Sequence, residues 1–237
     1  MQIAKMRIAE IFRSVQGEGR LTGTPSVFVR TSGCLLRCTF CDTRYASWEP
    51  EGDMLSVEEI LARTEELAKA DQIEHVVITG GEPMMSPDIV PLTAAFRQRG
   101  NHVTIETSGT RYQPVACDLM SISPKLSNST PTVEHDRGLI DLHERSRQAP
   151  DVIRRLNAEY DCQFKFVVDR PADCEEVLAY LAQFPEIDRR RVMLMPQGVD
   201  LVELDAKAGW LEPYCAAAGL QFCPRRHIGW FGGRRGT

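Results

Sequence analysis

Short β-rich runs alternate with helix-patterned segments along most of this chain, and that alternation allows few architectures. The runs are SVFVRTS (26–32), HVVIT (75–79), HVTIE (102–106), DLMSIS (118–123), CQFKFVVD (162–169) and VMLMP (192–196). Each is short, apolar or β-branched and bounded by turn residues, as parallel strands covered on both faces tend to be. Between them, VEEILARTEELAKA (57–70) has Ser56 placed as an N-cap and Glu59 three residues on, a capping box. Segments 88–99, 151–160, 173–184 and 201–218 also carry helical spacing, with Gly100 and Gly219 where helix-ending glycines belong. Strand–helix alternation with right-handed crossovers builds a mostly parallel sheet. The expected fold is therefore α/β, an open and incomplete β/α barrel of six or so strands. Its 237 residues suit one domain over 1–237, with the core at 26–200 and the segment 219–237 closing the site. The polar stretch 126–150 has no periodicity and is expected to be a long surface loop.

Composition removes whole classes of function. No apolar run is long enough for a transmembrane helix, and no early apolar segment with a cleavage site points to export. The 28 basic and 33 acidic residues leave a net charge of −5, so a general nucleic-acid footprint is missing. A cytoplasmic chain without membrane or direct nucleic-acid partners is expected. Of the eight cysteines, Cys117, Cys162, Cys174, Cys215 and Cys223 are scattered and read as small core residues or inert thiols. Cys34, Cys38 and Cys41 are different, because they fall within eight residues.

In parallel α/β sheets, ligands gather at the carboxyl ends of the strands. The cysteine triplet follows the first run, TGGEP (79–83) the second, ETSGT (106–110) the third and SPK (123–125) the fourth. Packing alone does not place polar or glycine-rich signatures at four successive strand ends. Three thiols can serve a structural zinc, with His135, His143 or a distant cysteine as fourth ligand. They can equally hold a [4Fe–4S] cluster with one iron left open.

CLLRCTFC (34–41) has the C-x3-C-x-aromatic-C form and resembles the signature of radical S-adenosylmethionine (SAM) enzymes. TGGEP resembles their glycine-rich motif. FRSVQGEGRLTGTPSVFVRTSGC (12–34), CDTRYASW (41–48), VITGGEP (77–83), ETSGT and SPK together are similar to the 7-carboxy-7-deazaguanine synthase family. The resemblance is dense over residues 7–125 and thins afterwards. It implies a carbon–nitrogen lyase of queuosine biosynthesis that converts 6-carboxy-5,6,7,8-tetrahydropterin to 7-carboxy-7-deazaguanine with loss of ammonia. The implied chemistry starts with hydrogen abstraction at C6 by a 5′-deoxyadenosyl radical, and no side chain is catalytic beyond the cluster and that radical. The implied cofactors are one [4Fe–4S] cluster on Cys34, Cys38 and Cys41, reusable SAM and Mg²⁺. A homodimer fed by an external flavodoxin-like or ferredoxin-like electron donor is implied too.

The same resemblance distributes roles. For SAM, Phe40 is expected against the adenine, with Asp42 beside it. Gly80 and Gly81 allow backbone approach, Glu82 orients the ammonium group, and Glu106 and Ser108 face the ribose or the methionine head. Ser123, Pro124 and Lys125 close that side. Thr43 is the implied Mg²⁺ ligand; a neutral hydroxyl binds magnesium weakly unless the substrate carboxylate and waters complete the octahedron. Val15, Gln16, Gly17, Thr79 and His227 are expected at the pterin. Arg30 interrupts an apolar strand, and its planar fork suits the pterin carboxylate. Arg225, Arg226, Arg234 and Arg235 read as a solvated tail. Two other readings use the same triplet: a glycyl-radical-enzyme activase acting on a protein, and a zinc-stapled binding domain. QGEG with Arg30 argues against the first, and a brown colour after anaerobic purification argues against the second. Cys38→Ala is expected to abolish iron–sulfur absorbance and turnover together, with the far-ultraviolet circular dichroism of the fold retained.

Overall fold

The computed structural model describes residues 5–132, 134 and 137–237. Its elements run β1 (Lys5–Val15), β2 (Pro25–Thr31), α1 (Arg44–Ser47), β3 (Asp53–Ser56), α2 (Val57–Lys69), β4 (His75–Gly80), α3 (Ile89–Gln98), β5 (His102–Thr107) and β6 (Leu119–Ile122). They continue with α4 (Arg137–Arg147), α5 (Pro150–Glu159), β7 (Cys162–Val168), α6 (Pro171–Ala182), β8 (Val192–Pro196), α7 (Leu201–Ala218), β9 (Gln221–Phe222) and α8 (Arg226–Phe231). One nine-stranded sheet orders them β3-β1-β2-β4-β5-β6-β7-β8-β9. From β2 to β9 every pairing is parallel, while β1 is antiparallel to both β2 and β3. The end strands β3 and β9 do not pair, so the sheet stays open.

The six expected runs are β2 and β4 to β8; three further strands extend the edges. Strand β1 alternates charged and apolar residues in a hairpin arm, so it offers no continuous apolar run. Strands β3 and β9 are four and two residues long, too short for any periodicity to register.

Strand pleating then separates two environments. Val29, Ile78, Ile105, Met120, Ile122, Phe164, Phe166 and Leu194 are buried in the main core. Helices α2, α3, α6 and α7 pack on that side, against β1 and β2, β5, β7, and β8 and β9 respectively. The alternate residues Arg30, Thr79, Glu106, Ser121, Lys165 and Met195 line the interior of the barrel. The strands are thus not apolar on both faces, as their composition suggested. The helix side is an oily core, and the inner side is a polar floor. Neighbouring strands bring floor residues abreast, Arg30 beside Thr79 and Glu106 beside Ser121.

The described residues of the stretch 126–150 are not a plain surface loop. They contain α4, whose charged surface and low apolar content hid it; one side chain on it, His143, is fully buried. At α2 the capping box is present. The Ser56 hydroxyl accepts from Glu59 N–H at 3.2 Å, and Ser56 N–H donates to Glu59 Oε2 at 2.7 Å. Ser56→Ala is expected to cost about 1 kcal/mol, read as a lowered urea midpoint with an unchanged slope.

Candidate active site

The cysteine loop leaves β2 at the carboxyl end of the sheet and is held from several sides by main-chain bonds. Gly33 N–H donates to Ala46 O at 2.8 Å, Glu82 N–H to Gly33 O at 2.8 Å, and Thr39 N–H to Ser129 O at 2.9 Å. Arg37 Nη1 donates to Cys34 O at 2.7 Å and to Leu36 O at 2.8 Å, and the Trp48 indole donates to Cys38 O at 3.2 Å. Cys34, Cys38 and Cys41 are free thiols on one wall of a cavity of about 280 Å³. Burial, joined by the Glu82 charge, pushes the Cys34 thiol up to about 12. Burial likewise pushes Cys38 up to about 11, with Lys125 pulling the other way. Such thiols keep their protons until a cation displaces them.

This donor set fits an iron–sulfur cluster better than a zinc ion. Among the described residues, no three His, Cys, Asp or Glu side chains gather where a single metal ion would sit. A four-iron cluster needs no such point, since each thiolate ligates a different iron. The expected zinc partner His143 is not available as a ligand. Its Nδ1 accepts from Arg37 N–H at 3.0 Å, and its Nε2 pairs with Ser129 Oγ at 3.0 Å. Burial lowers its pKa to about 4, leaving a neutral ring that braces the cysteine loop from α4. His135, the other candidate, lies outside the described residues.

Of the residues expected around the ligands, Val15, Gln16, Gly17, Arg30, Phe40, Asp42, Thr43, Thr79, Gly80, Gly81, Glu106, Ser108, Ser123, Lys125 and His227 line the same cavity as the cysteines. Glu82 and Pro124 do not. The buried Glu82 carboxylate accepts from Thr107 Oγ1 at 2.6 Å, Ser108 N–H at 2.8 Å and Met84 N–H at 3.1 Å, and it also meets the Ser108 hydroxyl. It therefore fixes the loop after β5 from behind. Two close approaches shape the walls. A Cβ on Gly81 would lie 2.1 Å from Gly33 O and 2.6 Å from Ala46 O, so only glycine lets the loop after β4 sit on the cysteine loop. A Cβ on Gly17 would lie 2.6 Å from His227 Cβ, and Arg226 N–H donates to Gly17 O at 3.0 Å.

Three charged groups on the floor and rim carried no expected individual role. Lys165 Nζ lies 2.8 Å from Glu18 Oε2 and 3.5 Å from Glu106 Oε1. Glu106 also accepts from Thr79 Oγ1 at 2.8 Å and Gln16 Nε2 at 3.2 Å. Arg225 is mostly buried, not a solvated tail residue; its guanidinium bridges Glu18 at 3.4 Å and the Asp42 carboxylate. Burial pushes the Glu18 carboxyl up, yet Lys165 and Arg225 overcome it and hold it well below the usual carboxylate range. Burial lowers the His227 pKa against the pull of Glu18. A signal for Lys165 existed in the sequence. It interrupts the apolar run CQFKFVVD as Arg30 interrupts SVFVRTS.

Comparison with known proteins agrees with this geometry. The Radical SAM superfamily profile matches residues 28–134, which hold the cysteine loop and the following strand ends. A 7-carboxy-7-deazaguanine synthase of Rhodopirellula baltica is 46% identical over 235 residues, covering 99% of this chain and 90% of the relative. The chain belongs to the 7-carboxy-7-deazaguanine synthase family. A second member of this family, from Halobacterium salinarum, is 43% identical over 93% of the chain and 88% of its own length. The crystal structure of QueE from Escherichia coli superposes with a TM-score of 0.69 at 26% identity, covering 94% of this chain and 95% of that one. Membership in this radical SAM family implies a [4Fe–4S] cluster and SAM, and it decides against the activase and zinc readings. Among the described residues of this 7-carboxy-7-deazaguanine synthase family member, no helix is long and apolar enough to cross a membrane. Gly81→Ala is expected to wedge the two loops apart at a cost of about 1–3 kcal/mol. The check is iron retained per chain after reconstitution, which should fall well below wild type while the fold persists.

Proposed function

We propose that the cavity converts 6-carboxy-5,6,7,8-tetrahydropterin to 7-carboxy-7-deazaguanine with release of ammonia, supplying the 7-deazapurine of queuosine. One observation carries this reading. The three cysteine thiols and Arg30 face one cavity of about 280 Å³.

Cys34, Cys38 and Cys41 would hold the cluster. When bound, the cluster and SAM supply the radical that removes a hydrogen atom from the substrate. Phe40, Asp42, Gly80, Gly81, Ser108, Ser123 and Lys125 are assigned to the cofactor side of the cavity. Glu82 and Pro124 belong to that side as supports behind the wall. Glu106 is assigned to the cofactor side as well, with its bonds to Thr79 and Gln16 linking it to the substrate side. On the substrate side, the Arg30 fork takes the carboxylate, while Val15, Gln16, Gly17 and Thr79 contact the ring edge. His227 is assigned as a cover, supported by its close approach to Gly17. Burial favours a neutral imidazole there, so His227 can accept or donate a hydrogen bond without adding charge. Thr43 would ligate Mg²⁺, with the substrate carboxylate and waters as the other ligands.

The chain's own contribution is placement and exclusion of water. The segment 219–237 closes the rim, a role supported by the Arg225 bridge between Glu18 and Asp42 and by the Arg226–Gly17 bond. The single continuous sheet supports one domain over 1–237. The reading also includes a homodimer in the cytoplasm and a flavodoxin-like or ferredoxin-like electron donor.

The test is anaerobic reconstitution with iron and sulfide, then incubation with the carboxytetrahydropterin, SAM and a one-electron reductant. A deazapurine identified by mass, with one ammonia per product and SAM not consumed, is the expected outcome. No deazapurine from a fully loaded cluster overturns the proposal.

A further inference from the structure

Arg30 is engaged from the side. Its Nε donates to Glu10 Oε1 at 2.6 Å, and its Cζ lies 5.5 Å from the centre of the Phe12 ring. Among the described residues, neither terminal nitrogen of Arg30 has a hydrogen-bond partner, although the side chain is only 16% exposed. A buried arginine facing a lone carboxylate usually takes it with two parallel bonds. Here one edge is occupied and the fork is left to the cavity.

Glu10 is itself tightly placed. It stands directly opposite Arg30 in the β1–β2 register. Tyr45 on α1 donates its hydroxyl to the same Oε1 at 2.6 Å. Burial pushes the Tyr45 phenol up to about 12, so it remains a donor at any ordinary pH. The other oxygen, Oε2, faces Arg235 Nε at 3.5 Å, and the Arg235 guanidinium covers the Tyr45 ring at 3.9 Å. Arg235 is tied in turn to Glu51 at 2.8 Å. A lone glutamate beside Arg30 would cancel its charge and repel an incoming anion. With Arg235 on the second oxygen and Glu51 on Arg235, the four charges balance, and what an anion meets at the fork is the pair of free donors on Arg30.

We propose that Glu10, locked by Tyr45 and Arg235, is a positioning residue that aims the Arg30 fork at the ligand carboxylate and so sets the preference for a carboxylated ring. This rests on the assignment of Arg30 to the substrate carboxylate. Glu10 acts through Arg30 and need not touch the ligand. It follows that residues on β1, α1 and the C-terminal segment set this selectivity jointly.

The test is equilibrium binding of 7-carboxy-7-deazaguanine and of 7-deazaguanine, which lacks the carboxylate, to the anaerobically reconstituted full chain with SAM. Arg30→Ala is expected to erase the preference for the carboxylated ligand. Glu10→Ala should lower that preference about tenfold, the size of one well-aligned charge-assisted bond. Glu10→Gln, which keeps an acceptor for Nε, should stay within about threefold of wild type. Affinity for 7-deazaguanine should not move in any variant. If Glu10→Ala keeps the preference, or weakens both ligands equally, Glu10 is a structural partner and the proposal fails. If Arg30→Ala keeps the preference, the assignment of Arg30 fails and takes the proposal with it. Should Glu10→Ala not fold, Tyr45→Phe carries the test. A drop in preference of about threefold is expected there, and no drop overturns the inference.

Discussion

An ammonium group in a protein interior must find anions, because burial of an unpaired charge costs several kcal/mol. Lys165 is such a group, and its partners come from distant parts of the chain. Glu18 lies on the turn between β1 and β2, and Glu106 lies on β5. Bridging them draws the turn down over the inner face of the sheet. Gln16 is thereby placed on Glu106, and Gly17 is brought under His227. Arg225 adds a second positive charge to Glu18 and ties the C-terminal segment to Asp42, beside the cysteines. One buried ion network thus joins both ends of the chain to the middle of the sheet. The cavity is what this arrangement encloses.

A second constraint acts at the rim. The cysteine loop has no regular secondary structure until α1, so its shape depends on outside partners. Main-chain bonds from Gly33, Thr39 and Glu82 supply three anchors, and His143 supplies a fourth. The neutral His143 ring accepts from Arg37 N–H, which a protonated ring cannot do. Glu82 stabilises the wall through Thr107 and Ser108. The glycine contact at Gly81 lets these two loops share one surface. The site is therefore made of loops that brace one another, above a rigid parallel sheet.

Much of this was legible in the residues. Strands β2 and β4 to β8 announced themselves as apolar runs, because a buried strand must be apolar on the helix side. The cysteine triplet and the TGGEP, ETSGT and SPK signatures marked one face, and most of their residues do line one cavity. Other features left weaker traces. Strand β1 mixes charges with apolar residues: Glu10 pairs with Arg30, while Arg13 meets Asp71 at the surface. Helix α4 carries one buried histidine and a mostly polar surface, so no apolar stripe revealed it. The arginines near the C-terminus looked solvated, yet the partners of Arg225 lie 183 and 207 residues away in sequence.

By itself the sequence determined the fold class, the family and the set of side chains able to hold a cluster and a carboxylate. These follow from local periodicity and from motifs confined to a few residues. Only the tertiary structure decided which charges pair, which histidine is structural and which edge of Arg30 stays free. Those outcomes depend on distances between residues remote in sequence and on how far water is excluded around them. Desolvation is a property of the folded interior, and no short stretch of residues carries it.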